Sequence, residues 1–215
     1  MTKGASEQGR GIGGMSRRTA TWIAWSTCGL SLVLATPSLL LLTSNLAPPV
    51  VHVFDYWPEI TVVTVSFSTV GAIIASRRPE HPIGWLFCAL GFLSGVDHLC
   101  AQYAIFALLE QPGSLQAGGA AAWVRGWIWA AYLGLGMFLV LLFPDGRLPS
   151  SRWRPFAWLT AITALLATIA MAFAPGPVDG LGPIENPLGI PLLGVGGEGG
   201  VNALVEALFL SPWGA

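Results

Sequence analysis

Residues 19–54 read TATWIAWSTCGLSLVLATPSLLLLTSNLAPPVVHVF and contain no charged side chain. Three further uncharged stretches follow at 60–76, 126–144 and 155–178. Each approaches or exceeds the roughly 20 apolar residues that cross the hydrocarbon core of a bilayer, which is about 30 Å thick. We predict that these stretches form helices, because an isolated strand in lipid would leave its backbone polar groups unpaired.

The composition of the whole chain favours the same class of protein. Of its 215 residues, 53% are hydrophobic and 10% are charged, whereas about 25% of the residues in a soluble domain are charged. The net charge of -1 offers no basic surface that could neutralise the phosphates of a nucleic acid. We therefore expect a lipid bilayer, and not a nucleic acid, as the partner.

The predicted fold is an all-α integral membrane protein with five full transmembrane helices. The helices are expected at residues 22–46, 60–76, 83–109, 121–143 and 155–173, and Pro37 should kink the first. The predicted domains are a disordered cytoplasmic tail at 1–18, a five-helix membrane domain at 19–175, a Gly/Pro-rich external loop at 176–200 and a partial sixth hydrophobic segment at 201–215. That last segment stops after about 15 residues and is too short to span with confidence.

The distribution of Lys and Arg predicts the orientation, because basic residues near helix ends are retained in the cytoplasm. With the amino terminus inside, nine of the ten basic residues fall in the tail, the 77–82 turn and the 144–154 loop, and Arg125 alone lies outside. The basic residues of the two predicted cytoplasmic connections are Arg77, Arg78, Arg147, Arg152 and Arg154. We expect them to fix the topology and attract anionic lipids, with coupling to a cytoplasmic domain as an alternative.

The third predicted helix carries two polar side chains, Asp97 and His98, close to its middle. A carboxylate at that depth costs at least ~2.5 kcal/mol and normally faces other helices or water. Residues three and four apart share a helix face, and this spacing forms a stripe of Gly91, Ser94, Gly95, His98 and Gln102. The stripe should face protein, because its GxxxG pattern permits close approach between helices.

We take Asp97, His98, Gln102 and Ser94 as the candidate intramembrane polar site and Gly91 and Gly95 as helix-packing residues. Two interpretations stay open for the polar site. It could bind a ligand or respond to pH, since histidine titrates near neutrality. Alternatively, its side chains only form hydrogen bonds across helices and fix their packing.

No residues suggest catalysis or a cofactor. The predicted topology separates His52, His81 and His98 between the outside, the inside and the membrane interior, so they should not share a metal. Cys28, Cys88 and Cys100 lack the close pairing of zinc and redox sites, and we expect reduced thiols. Nucleophile elbow, HExxH and kinase signatures are also missing. We predict no catalytic residue, no metal and no cofactor.

Three pieces of the chain carry a family resemblance: RPEHPIGWL at 78–86, FPDGRLPSSRWRP at 143–155 and NPLGI at 186–190. With their spacing, they resemble the amino-terminal membrane module of certain bacterial sensor histidine kinases across about residues 20–195. Those modules more often have Asn at the position of His81. The resemblance implies the bacterial inner membrane, and a sensor or anchor that continues into a cytoplasmic dimerisation helix and an ATP-binding kinase domain.

The sequence leaves three functional hypotheses. The leading one is a membrane sensor-type or anchor module, which we expect to be a truncated, split or partial gene product without kinase activity of its own. The second is a small transporter or permease subunit with Asp97 and His98 on its pathway, although no internal symmetry supports it. The third is a structural partner that self-associates or assembles with another membrane or signalling protein, which the GxxxG stripe would favour.

Overall fold

The computed structural model describes residues 16–44, 57–178 and 181–190. Within these ranges it contains five α-helices: α1 (Arg17–Ser44), α2 (Trp57–Arg77), α3 (Pro82–Ile105), α4 (Gly118–Leu142) and α5 (Arg154–Phe173). Each is part of a helical segment long and apolar enough to cross a membrane. The predicted all-α class is therefore confirmed for the described residues, with five helices long and apolar enough to span a membrane. The sixth segment predicted at 201–215 lies outside the described residues.

The helix ends follow local chemistry. The hydroxyl of Ser16 accepts a hydrogen bond from the backbone N–H of Thr19 at 3.1 Å, which is the geometry of an N-cap. Because of this cap, α1 begins at Arg17, two residues inside the segment predicted as a disordered tail. Helix α4 ends where Phe143 adopts an extended conformation, as expected for a residue before proline.

The third predicted helix ends in a different helical geometry. Residues Phe106–Glu110 form a π-helical turn directly after α3. The backbone N–H of Gln111 donates to the carbonyl oxygen of Phe106 at 2.9 Å, five residues earlier. The prediction of one uniform helix over 83–109 thus misses a local widening of the helix near its end.

Helices α1, α2 and α3 pack against one another, α4 packs on α3, and α5 packs on α4. The α2–α3 contact is closest where glycines face small residues: Gly71 faces Cys88, Gly84 faces Ala75, and Gly91 faces Ser68. A Cβ at Gly91 would lie 2.5 Å from the backbone nitrogen of Ser68. Small residues therefore set the distance between these antiparallel helices, as is usual in membrane bundles.

Helix α5 contacts α4 through small residues and carries its large apolar side chains on the opposite side. A Cβ at Gly134 of α4 would lie 2.6 Å from the Cβ of Ala164, so the α4–α5 contact is also made by small residues. The opposite side of α5 exposes large apolar side chains: Phe156, Trp158, Leu159, Ile162, Leu165, Leu166 and Ile169. That face is suited to lipid, because in water such a continuous apolar surface would be unstable.

Three parts of the chain meet at one end of the bundle, which we name the basic end. The guanidinium of Arg17 donates a hydrogen bond to the carbonyl oxygen of Arg77 at 2.9 Å. A Cβ at Gly146 would lie 2.7 Å from Pro82, so the α4–α5 loop contacts the α2–α3 turn. All basic residues of the described chain except Arg125 lie at this end: Arg17, Arg18, Arg77, Arg78, Arg147, Arg152 and Arg154.

After α5 the chain folds back at the opposite end. We name residues 174–178 and 181–190 the strap. Its backbone closes on itself through a hydrogen bond from Val178 N–H to Ile184 carbonyl at 2.8 Å, and returns to α5 through Ile190 N–H and Phe173 carbonyl at 2.9 Å. A buried apolar cluster joins the strap to α3 and α4: Ala101, Ala104, Ile105, Ala122, Val178, Leu181 and Ile184. The described part of the predicted 176–200 loop is therefore packed on the helices.

Candidate functional site

The stripe of α3 that contains Gly91 and Gly95 is buried against other helices of the chain. All five of its residues, Gly91, Ser94, Gly95, His98 and Gln102, are buried. A Cβ at Gly95 would lie 3.2 Å from the carbonyl oxygen of Ser31 in α1, and Gly91 contacts α2. The two glycines of the GxxxG pattern thus pack against other helices of the same chain.

One member of the predicted polar site has a structural partner. The hydroxyl of Ser94 forms a buried hydrogen bond of 2.8 Å with the hydroxyl of Thr64 in α2. The hydroxyl of Ser68, also buried, donates to the backbone carbonyl of Thr64 at 2.6 Å. Ser94 is therefore satisfied by the α2–α3 contact and does not need a ligand.

Asp97 has a charged partner that the sequence analysis missed. A guanidinium nitrogen of Arg125 in α4 lies 3.3 Å from Oδ1 of Asp97, and the two side chains are 18% and 21% exposed, respectively. Arg125 lies within α4, and its charge compensates the carboxylate of Asp97.

Several polar atoms around this ion pair are orphaned. His98 is only 4% exposed, and neither of its ring nitrogens has a hydrogen-bond partner among the described residues. Oδ1 of Asp97 and Nε of Arg125 likewise make no hydrogen bond there, although the two residues form the ion pair. A neutral imidazole offers one donor and one acceptor, so the ring of His98 has unused capacity of both kinds among the described residues.

Two further side chains share helix faces with the ion pair. Cys100 lies three residues after Asp97 in α3. Tyr132 of α4 lies seven residues after Arg125, on the same helix face. We name Asp97, His98 and Arg125 the polar cluster: Asp97 and Arg125 form the ion pair between α3 and α4, and His98 follows Asp97 on the stripe of α3 that faces α1 and α2.

The strap lies beside this cluster. A Cβ at Gly126, the neighbour of Arg125, would lie 3.7 Å from the side chain of Val178. A Cβ at Gly119, two turns earlier on α4, would lie 3.9 Å from the Cβ of Pro187. Because Val178 belongs to the cluster that also buries Ala101, the strap contacts both helices that carry the ion pair.

Asn186 fastens the strap to α5. Its side-chain amide donates to the carbonyl oxygens of Ala172 at 3.1 Å and Ala174 at 2.8 Å, and its side-chain oxygen accepts from the N–H of Leu188 at 3.1 Å. Trp123 of α4 donates its indole N–H to the same Ala172 carbonyl at 2.8 Å. The carbonyl oxygens at the carboxyl end of α5 thus accept hydrogen bonds from side chains. The NPLGI stretch contributes one of these donors, Asn186.

The remaining predicted residues do not join the polar cluster. The arginines of the two basic connections, Arg77, Arg78, Arg147, Arg152 and Arg154, are exposed at the basic end. Cys28 and Cys88 are free thiols that share an apolar cluster with small residues of α1 and α2. Among the described ranges, no three His, Cys, Asp or Glu side chains come together in a way that could hold a metal ion.

The fold and the site together define a class: in the described residues, an α-helical protein with five helices suited to spanning a membrane and an ion pair between α3 and α4. Comparison with protein-family models gave no match, and neither the curated proteins nor the solved structures contained one.

Proposed function

We propose that this chain is a multi-pass sensor-type or anchor module of a bacterial signalling protein, placed in the inner membrane with its amino terminus in the cytoplasm. In this proposal the chain acts by binding and helix packing and is not catalytic by itself. The clustering of exposed arginines at one end of the bundle supports the orientation, since such residues stay on the cytoplasmic side.

The observation that carries the sensing role is the ion pair between Asp97 and Arg125 beside the orphaned His98. Charged groups within membrane spans are costly and usually serve a function. A purely structural pair would leave fewer neighbouring polar atoms unused, because buried polar groups normally find partners. We therefore assign the polar cluster as the place where a signal is received.

The helices offer a route from that cluster to the basic end. Helix α3 packs against α1, α2 and α4, so a shift of α3 would change its contacts with all three helices. Helix α4 leads from Arg125 to the loop in which Gly146 contacts the α2–α3 turn. A change in the polar cluster can thus move the surface on which a cytoplasmic signalling partner would act.

The test combines a conformational readout with a flux readout in proteoliposomes. An environment-sensitive fluorophore on Ser150→Cys, in a chain whose native cysteines are replaced by alanine, reports on the basic end. We expect Asp97→Asn and Arg125→Gln to change its emission, whereas Leu133→Ala on the exposed side of α4 should not. Proton flux, followed with a trapped pH dye, should be the same for all variants and for empty liposomes.

Other outcomes of these measurements would contradict parts of the proposal. Proton flux that is lost in Asp97→Asn would replace the sensor with the transporter hypothesis. Unchanged emission in both charge variants, with no flux, would reduce the proposal to an anchor without sensing. The glycine stripe gives no support to assembly with another membrane protein, because Gly91 and Gly95 are occupied by α2 and α1.

A further inference from the structure

Four arginines meet where α1 begins and α2 ends. The guanidinium of Arg17 donates to the carbonyl oxygen of Arg77 at 2.9 Å, and Arg18 and Arg78 directly follow these two residues in the chain. All four side chains are exposed, and none of them forms an ion pair in the part of the chain that the structure describes. We name these four residues the arginine corner. Because its charges have the same sign, an anion that contacts several of them would relieve their mutual repulsion.

One face of α1 continues from the arginine corner towards the middle of the helix. Trp22 and Trp25 lie four and seven residues after Arg18, which places them on the same helix face. Their side chains are 67% and 47% exposed, respectively. At 1.5 Å per residue they lie about 6 and 10 Å from Arg18 along the helix axis. With Arg18 among the lipid headgroups, the two indoles reach the boundary with the acyl chains, where tryptophan is preferred.

The same face has open space one turn further along. Gly29 lies eleven residues after Arg18, and a Cβ at Gly29 would meet nothing within 4 Å. Beside two large indoles, a residue without a side chain leaves a shallow groove on the outer surface of α1. The groove lies about 16 Å from Arg18 along the axis, at the depth of acyl chains. This face therefore presents guanidinium, indole and open space in the order in which a phospholipid presents phosphate, ester and chain.

The number of arginines in the corner indicates which phospholipid fits. Guanidinium groups bind phosphate through paired, charge-assisted hydrogen bonds. The corner consists of two adjacent pairs, one on α1 and one at the end of α2, so each pair can bind one phosphate. A headgroup with a single phosphate would leave half of the positive charges without a partner. A headgroup with two phosphates matches both pairs.

We propose that the arginine corner and the α1 face of Trp22, Trp25 and Gly29 form a binding site for one phospholipid with two phosphates, such as cardiolipin. The phosphates contact the arginines of both helices, and one acyl chain lies across the indoles into the groove at Gly29. The bound lipid thereby joins the ends of α1 and α2. This site goes beyond the proposed function, since it requires neither signalling nor a particular orientation in the membrane.

Native mass spectrometry of the full chain in detergent tests the proposal, because bound lipids are counted directly. The probes are tetraoleoyl cardiolipin and dioleoyl phosphatidylglycerol, compared at equal phosphate concentration. We expect one tightly bound cardiolipin per chain, with a dissociation constant at least about tenfold below that of phosphatidylglycerol, because two linked phosphates bind as one unit. Equal dissociation constants for the two lipids would overturn the assignment.

Paired substitutions separate the corner from the general charge of the basic end. Replacing both arginines of either pair in the corner by glutamine should abolish the preference for cardiolipin. The control is Arg152→Gln with Arg154→Gln, which removes the same charge from the α4–α5 connection and should keep the preference. The α2 pair is the safer variant for folding, because the hydrogen bond from Arg17 is accepted by the backbone of Arg77. An equal loss of preference in the control would show attraction by net charge alone and refute the site.

A substitution in the groove tests whether the acyl chain takes part. Gly29→Leu fills the open space without changing any charge, and it should weaken cardiolipin binding at least about fivefold by displacing apolar chain from the surface. Gly136→Leu in α4 is the matched control, since a Cβ there also meets nothing within 4 Å, and it should leave binding unchanged. Cardiolipin binding that is unaffected by Gly29→Leu and is displaced by inorganic pyrophosphate would refute a lipid site and indicate a site for soluble diphosphates.

Discussion

The ion pair between Asp97 and Arg125 should be strongly coupled in stability. At an effective dielectric constant of about 20, two unit charges 3.3 Å apart attract by about 5 kcal/mol before desolvation is subtracted. Removing one partner leaves the other charge within a transmembrane helix, which costs about 2.5–3.5 kcal/mol on insertion scales. Since about a fifth of each side chain is exposed, partial hydration should lower this cost to about 2–3 kcal/mol for Asp97→Asn or Arg125→Gln.

The double variant removes both charges and leaves neither orphaned. We expect it to be no less stable than either single variant, which gives a coupling energy of about 2–3 kcal/mol. The assay is reversible unfolding in mixed micelles with increasing dodecyl sulfate, followed by helical circular dichroism. Arg147→Gln, an exposed arginine of the basic end, serves as control and should change the free energy of unfolding by less than about 0.5 kcal/mol. Effects of the two single variants that add to within about 0.5 kcal/mol would refute the coupling.

Three further outcomes are expected. Gly91→Ala should lower the free energy of unfolding by about 1–3 kcal/mol through overpacking against α2, while Gly29→Ala, where a Cβ meets nothing within 4 Å, should be neutral or stabilising; equal effects in the same unfolding titration would contradict the packing argument. Thr64→Val removes the hydrogen bond to Ser94 and should lower the free energy of unfolding by only about 0.6 kcal/mol, the average for an interhelical hydrogen bond in a membrane protein. A loss as large as that caused by breaking the ion pair would contradict this prediction. In intact cells, an impermeant maleimide should label Gln111→Cys and spare Ser150→Cys, and the opposite pattern would reverse the proposed orientation.

The number of helices could be predicted because the bilayer imposes a minimum length on each apolar stretch. The exact ends could not, since they depend on single local contacts. Ser16 caps α1 and brings Arg17 into the helix, and a hydroxyl in a Gly/Ser-rich tail gives no distinctive signal. The π-helical turn at Phe106–Glu110 was equally hidden, because apolar composition does not distinguish one helical geometry from another.

The sequence carries a signal for the partner of Asp97. Asp97 and Arg125 each lie 14 residues from Gln111, and an antiparallel pair of helices joined near that residue would bring them to similar depth. The count of basic residues considers only the two sides of the membrane and leaves Arg125 outside. A lone acid and a lone base at matching distances from one helix connection are therefore a signal worth reading before loop charges are counted.

The residues that carry the resemblance to sensor kinase modules turn out to hold the bundle together at its two ends. In the first piece, the indole of Trp85 donates to the carbonyl of Pro79 at 2.9 Å, and Gly146 of the second piece packs on the same turn. Asn186 of the third caps α5 at the opposite end. The three pieces thus bear on how the helices are assembled, and Asp97, His98 and Arg125 stand outside all of them.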